Sequence, residues 1–180
     1  MTPESSALDD DPSAHRKGLR NPPRNDPRRD LRPRRQKSLL ARALGYLARR
    51  EHSRVELARK LSAYAERAED VDSLLDELQA KKLLSEARFV EVLTRSRGER
   101  FGAARVRQEL KAHGIADELQ RPALKDLHAT EFTRARALWL RRFGAPATDA
   151  AGRAKQMRFL AGRGFSSEVI RKVVGGDTED

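Results

Sequence analysis

The feature that most constrains the fold is an internal repeat with an offset of 50 residues. Leu110–Leu119 lines up with Leu160–Val169, so that Gly114 matches Gly164. In both copies a helix-ending glycine is followed by an apolar residue and then by a short helix. Leu61 lies 49 residues before Leu110 at the end of a comparable helix, where no glycine follows. This pattern predicts helical repeats that share cores with their neighbours. A plain helical bundle with an accidental similarity is the alternative.

Apolar residues recur three and four positions apart from Ser38 onward, which predicts helices. Ser53 and Glu56 form a capping box at the start of the second helix, and Gly144 ends the seventh. The predicted helices cover about 38–50, 53–61, 71–83, 85–93, 103–113, 117–127, 132–143, 149–162 and 166–174. No segment alternates with period two, so we predict an all-α protein. The helices group into three-helix repeats at 38–84, 85–128 and 129–175, which we expect to stack because each buries too little alone.

Residues 1–37 differ in composition from the rest of the chain. They contain six of the eight prolines and ten basic against six acidic residues, with few large apolar side chains. Such a segment cannot bury enough apolar surface to offset its ordering entropy, so we predict a disordered basic tail. Both a phosphate-binding arm and a solubilising tail agree with this composition.

The charge balance indicates the class of partner. Lys and Arg outnumber Asp and Glu by 38 to 27, a net charge of +11, which attracts nucleic acid and acidic protein surfaces ahead of anionic membranes. The chain has no cysteine, which excludes disulfides and thiolate metal sites and agrees with a reducing cytosol. No apolar run approaches the ~20 residues that a membrane span needs. Because the first residues also do not resemble a secretion signal, we expect a cytoplasmic protein without a membrane partner.

The sequence lacks a recognisable catalytic or metal-binding pattern. Its four histidines, at positions 15, 52, 113 and 128, are scattered without metal-ligand spacing, and there is no phosphate-binding glycine loop. Asp72 and Asp76 lie one helical turn apart, but a solvated helix face accounts for them. We therefore predict a protein that is not an enzyme and needs no cofactor or metal.

Arginines supply the candidate binding surface. Several follow one another closely on the fourth and fifth predicted helices, and others lie seven residues apart on faces opposite the apolar ones. Outward guanidinium groups on successive repeats predict a basic stripe for a polyanion, whereas a solvated face neutralised by Glu91, Glu99 and Glu109 is the alternative. The aromatic residues have core spacing, so we expect contacts mainly with phosphates. The candidate partner- and DNA-binding residues are Arg88, Arg95, Arg97, Arg100, Arg105, Arg107, Lys111, Arg134 and Arg141.

Four motifs in series resemble the regulatory protein RecX family. They are Ala48–Leu57, Leu84–Phe89, Phe101–Leu110 followed by Gly114 and Ile115, and Phe159–Phe165. The resemblance covers about residues 38–175 in the family's order. Two positions depart from the family pattern. Ser85 and Ala87 leave Glu86 as the one acid where two adjacent acids are common, and Ala103 replaces a frequent proline.

The resemblance implies tandem three-helix repeats that form an elongated, curved, solenoid-like molecule. It also implies binding to the RecA recombinase and its nucleoprotein filament, usually with inhibition of strand exchange, ATPase and coprotease activities. Family members are thought to lodge in the filament groove or cap its growing end, and some bind single- or double-stranded DNA directly. We expect a monomer. The alternative function is that of a free-standing basic helical DNA-binding protein with no recombinase partner.

Overall fold

The computed structural model describes residues 37–176, and this part of the chain contains nine α-helices and no β-strand. The helices are α1 (Leu39–Leu47), α2 (Arg54–Ser62), α3 (Ala68–Ala80), α4 (Glu86–Gly98), α5 (Ala103–Ala112), α6 (Asp117–Ala129), α7 (Glu131–Phe143), α8 (Ala150–Ala161) and α9 (Ser167–Gly175). The predicted all-α fold of helical repeats is confirmed. The predicted disordered tail lies, except for Lys37, outside the described residues.

Short polar side chains set several helix starts. The side chain of the residue before the helix accepts a hydrogen bond from a backbone N–H of the first turn, which satisfies a group that the helix itself leaves unpaired. The capping residues are Ser38, Ser53, Ser85, Asp149 and Ser166. Helix α3 ends at Ala80, before the predicted limit near Leu83, because Lys82 adopts a left-handed φ of 56°. The amides of Leu83 and Leu84 then both donate to the carbonyl of Leu78.

The buried apolar residues form three clusters, and each cluster takes its members from three consecutive helices. We call α1–α3, α4–α6 and α7–α9 the first, second and third repeats. Leu61, Leu110 and Leu160, which the sequence repeat aligns, are all fully buried, one in each cluster. The first repeat therefore follows the same pattern as the others although its glycine is missing.

A glycine turn docks each later repeat onto the one before it. Gly114 has a φ of 72°, and a Cβ there would lie 2.6 Å from Cγ2 of Val55, near the start of α2. Gly164 has a φ of 79°, and a Cβ there would lie 2.7 Å from the backbone nitrogen of Arg105, near the start of α5. Val55 and Arg105 are also 50 residues apart. Both turns thus require glycine for its left-handed conformation and for the close approach of the neighbouring repeat.

Each repeat carries an arginine in its first helix, and in the second and third repeats this arginine makes a second contact with the repeat before it. Arg42, Arg88 and Arg134 occur at intervals of 46 residues, and each donates to backbone carbonyl groups. Arg88 of α4 donates to the carbonyls of Lys82 (3.0 Å) and Leu83 (3.1 Å), which follow α3. These carbonyls lie beyond a helix end, where intrahelical partners run out. Arg88 therefore joins the second repeat to the first.

Arg134 of α7 makes the larger set of such contacts. Its guanidinium group donates to the carbonyls of Gly98, Phe101 (2.9 Å) and Leu127 (2.6 Å), all in the second repeat, and to the hydroxyl of Thr130 (3.1 Å). Three nitrogen atoms of one planar group thus satisfy oxygens from two different helix ends. We call Arg88 and Arg134 the inter-repeat arginines.

Replacing Gly164 by alanine tests the glycine contact, and Gly176→Ala is the control. Gly176 has a left-handed backbone with a φ of 88°, and a Cβ there meets nothing within 4 Å. We expect G176A to lower the free energy of unfolding by about 1 kcal/mol through backbone strain alone. G164A should lower it by an additional ~1–3 kcal/mol, because the methyl group forces the third repeat away from α5. Urea titration followed by circular dichroism measures both, and equal losses would contradict the proposed contact.

Replacing Arg134 by methionine removes its hydrogen bonds but keeps an apolar stem of similar length. Because three carbonyl groups lose their donor, we expect the free energy of unfolding to fall by about 2–4 kcal/mol. The single tryptophan, Trp139, is 4% exposed in the third repeat and reports unfolding by fluorescence. Arg141→Met on the same helix is the control, since Arg141 is exposed and has no ion pair with a described residue. If R141M lowered the free energy of unfolding as much as R134M does, the carbonyl contacts would contribute nothing specific to stability.

Candidate partner-binding surface

Eight of the nine predicted binding residues lie on α4, α5 and α7, and Arg100 lies in the loop between α4 and α5. Two of the nine are the inter-repeat arginines. Besides its carbonyl contacts, Arg88 donates from Nε to the Glu51 carboxylate at 2.7 Å. Burial lowers the pKa of Arg134, and nearby Glu131 opposes this shift. Arg134 still carries its charge, because guanidinium groups do not lose their proton in proteins. Both residues are occupied within the fold, a role that the sequence pattern did not indicate.

Three further predicted residues form ion pairs with nearby carboxylates. The pairs are Arg95 with Glu91 (2.7 Å), Arg97 with Glu109 (2.8 Å) and Lys111 with Asp117 (3.9 Å). Glu91 and Glu109 are two of the acids that the sequence alternative named as neutralising. Exposed pairs of this kind contribute about 0–1 kcal/mol each, so a partner's anion can replace the carboxylate at little cost.

Arg100 and Arg105 lie on either side of Phe101 in sequence and share its ring. Their guanidinium carbons are 5.8 and 6.0 Å from the ring centroid, at the outer limit of a cation–π contact. Both side chains are exposed, and neither has an ion pair within residues 37–176. Arg105 also lines a cavity of about 410 Å³ together with Arg97. We call Arg100 and Arg105 the Phe101 arginines; they are unpaired cations next to the junction of the second and third repeats.

The remaining two predicted residues lie elsewhere. Arg141 is exposed on α7, whereas Arg107 lines a separate groove between α5 and α6. That groove also contains Arg121 and Lys125, which were not predicted from the sequence. Their spacing of four residues on a predicted helix was the signal that would have found them. Four of the predicted residues, Arg95, Arg97, Arg105 and Arg107, thus line grooves, and Arg97 and Arg105 line the same one.

A cleft between the first two repeats contains two ion pairs, Arg50 with Glu56 and Arg97 with Glu109. It has a volume of about 340 Å³ and is lined by Arg50, Glu56, Arg97 and Glu109 among others. Burial raises the pKa of Glu56, but hydrogen bonds from Arg50 and Lys60 outweigh it and lower this pKa to about 2. Glu56 is therefore ionised at neutral pH and balanced by its neighbours, so it has no proton to donate there.

Residues 37–176 contain no group of three or more His, Cys, Asp or Glu residues arranged to hold a metal ion. None of the helices within this range has the length and apolar character that would let it cross a membrane.

Family models match the second and third repeats. The model described as "RecX, second three-helix domain" matches residues 85–124, and "RecX, third three-helix domain" matches residues 129–174. Two crystal structures share the fold. One, described as "regulatory protein RecX", has a TM-score of 0.67 at 23% identity, covering 77% of this chain and 72% of that one. The other, RecX from Lactobacillus salivarius, has a TM-score of 0.64 at 19% identity and covers 77% and 93%.

Curated relatives match across nearly their full length. A protein from Ralstonia pickettii (strain 12J) named "Regulatory protein RecX" is 51% identical over 147 residues, which is 82% of this chain and 92% of the relative. A protein of the same name from Leptothrix cholodnii is 53% identical over 139 residues, covering 77% and 88%. The motifs that suggested the resemblance thus belong to a similarity that extends through all three repeats, and the chain belongs to the regulatory protein RecX family.

Proposed function

We propose that the protein binds the RecA recombinase on its nucleoprotein filament and inhibits strand exchange, ATP hydrolysis and coprotease activity. The observation that carries this proposal is the near full-length identity of about one half to proteins named as regulators. The family resemblance supplies the recombinase as the partner. The protein acts in the cytoplasm as a monomer and without a catalytic activity of its own.

The surface charge supports a filament as the target. Protein bound along DNA presents a long negatively charged surface, which attracts a chain of net charge +11 and speeds its encounter. The Phe101 arginines are suited to the contact because no described carboxylate neutralises them. Arg95, Arg97 and Lys111 add charge once a partner displaces their weakly held carboxylates.

Inhibition follows from the way the repeats are joined. The glycine turns and the inter-repeat arginines hold neighbouring repeats in register, so the three repeats present their surfaces together. A module that contacts more than one recombinase protomer at once opposes the movements that filament growth and strand exchange require. A rigid connection is needed for this, because a flexible one would let each protomer move independently.

DNA-dependent ATP hydrolysis by the host recombinase, measured with substoichiometric amounts of this protein, tests the proposal. We expect inhibition by the wild-type chain. The double substitution of Arg100 and Arg105 by alanine should require about tenfold more protein for the same inhibition, because two charge contacts of about 0.7 kcal/mol each are lost. The effect should grow as salt is lowered, since exposed charges are screened less.

The matched control is the double substitution of Arg67 and Lys81 by alanine. Both are exposed in the first repeat, where they pair with Glu69 and Glu77. Because two cations are removed, the net charge changes as much as in R100A/R105A. The control should inhibit as the wild type does; equal losses in both double variants would show that net charge alone matters. Absence of inhibition, with equal affinity for bare single-stranded DNA and for preformed filament, would favour the alternative of a DNA-binding protein without a recombinase partner.

A further inference from the structure

A buried histidine lies beside the cleft that separates the first two repeats. His52 is 2% exposed and directly precedes Ser53, which caps α2. Its Nδ1 donates to the carbonyl of Arg50 at 2.9 Å, and its Nε2 lies 3.0 Å from Nζ of Lys60 on α2. We propose that the His52–Lys60 contact is a pH switch, which stabilises the junction of the first and second repeats at neutral pH and is lost in acid.

The two hydrogen bonds of the ring determine its protonation state. The carbonyl of Arg50 can only accept, so Nδ1 carries the single ring proton. The ammonium group of Lys60 can only donate, so Nε2 must offer its lone pair. A second proton on the ring would therefore remove this hydrogen bond and place two positive groups in contact. Burial lowers the pKa of His52, while the hydrogen bond to Arg50 and the charge of Glu56 oppose this shift.

Glu56 connects the His52–Lys60 contact to the cleft, which it lines together with Arg50. Its carboxylate accepts hydrogen bonds from Arg50 and lies 3.1 Å from Nζ of Lys60 and 3.8 Å from Nε2 of His52. From α1, the ring of Tyr46 lies 6.1 Å from the His52 ring and 5.1 Å from Nζ of Lys60. A protonated His52 would compete with Lys60 for the carboxylate of Glu56, so that protonation rearranges the start of α2.

The start of α2 is also the seat of the second repeat. Ser53 is fully buried, and its hydroxyl group lies 3.5 Å from Nδ1 of His113 at the end of α5. The turn at Gly114, the next residue, packs against Val55 of α2. A rearrangement at His52 therefore reaches the residues that hold the second repeat against the first.

The matching position of the second repeat carries no ionisable side chain. Ser53 and Gly102 directly precede α2 and α5, so His52 matches Phe101, one residue earlier in each case. Phe101 packs against the apolar cluster of its own repeat. The proposed switch thus acts on the first junction and has no counterpart at this position in the second repeat.

NMR titration of the histidine rings in the full-length chain tests the switch, with His52→Gln to identify the His52 signal among the four histidines. We expect His52 to titrate below the ordinary midpoint of 6.5. Lys60→Met should raise this midpoint, because it removes both a positive charge and the donor that requires a neutral ring. The matched control is Arg59→Met, which removes an exposed cation of the same helix and should leave the midpoint unchanged. An ordinary midpoint in the wild type, or the same midpoint in K60M, would overturn the proposal.

Hydrogen exchange followed by mass spectrometry tests whether the titration reaches the junction. The folded state favours the neutral ring, so the stability it contributes is full above the ordinary histidine pKa and is lost as the pH falls below it. After correction for intrinsic exchange rates, α2 and the turn at Gly114 should lose protection between about pH 7 and pH 5, whereas α7–α9 should keep theirs. In H52Q, which cannot titrate at this position, that loss should be absent.

Two results of the exchange experiment would contradict the switch. One is a loss of protection in H52Q equal to that of the wild type, and the other is an equal loss in all three repeats. If H52Q does not fold, K60M serves in its place, since its loss of protection should begin at a higher pH than in the wild type and in R59M. Neither measurement contains a recombinase, so the outcome does not depend on the proposed function.

Discussion

The contact on which the rest of the molecule depends is the hydrogen bonding of arginine side chains to carbonyl groups at helix ends. Nine helices in 140 described residues create many helix ends, and every C-terminal end leaves carbonyls without intrahelical partners. Arg88 and Arg134 satisfy those that face the next repeat. A thin core of small clusters could not by itself fix how the repeats meet, because apolar contacts carry little directional information. The planar guanidinium group supplies that direction.

This use of arginine divides the positive charge of the protein into two populations. One joins repeats and is unavailable to a partner, as Arg134 illustrates with its four internal acceptors. The other is exposed and either weakly paired, like Arg95, or unpaired, like Arg105. A basic composition therefore overstates the binding surface, because part of the charge maintains the fold.

Much of the fold could be predicted from the sequence, because the residues that start and end helices act locally. Ser53 and Gly164 act within one turn of their own helices, and the structure has both where the pattern predicted a start and a stop. The role of Arg88 was not accessible, since its partner Glu51 is 37 residues away and meets it only after the repeats dock. For the same reason the sequence assigned Arg107 to a stripe but did not associate it with Arg121, which lies across a groove formed by two helices.

The missing glycine distinguishes the first repeat from the two that follow it. Where the later repeats carry Gly114 and Gly164, the first has the segment from Ala63 to Ala65, and Tyr64 there is half-exposed beneath the Arg42 guanidinium group, 3.8 Å from the ring centroid. With Leu61 aligned to Leu110, the position of Gly114 is occupied by Ala65 in the first repeat. An alanine disfavours the left-handed backbone that Gly114 and Gly164 adopt. The turn that packs each later repeat against its predecessor is therefore chemically different in the first repeat, so the three units are not interchangeable along the chain.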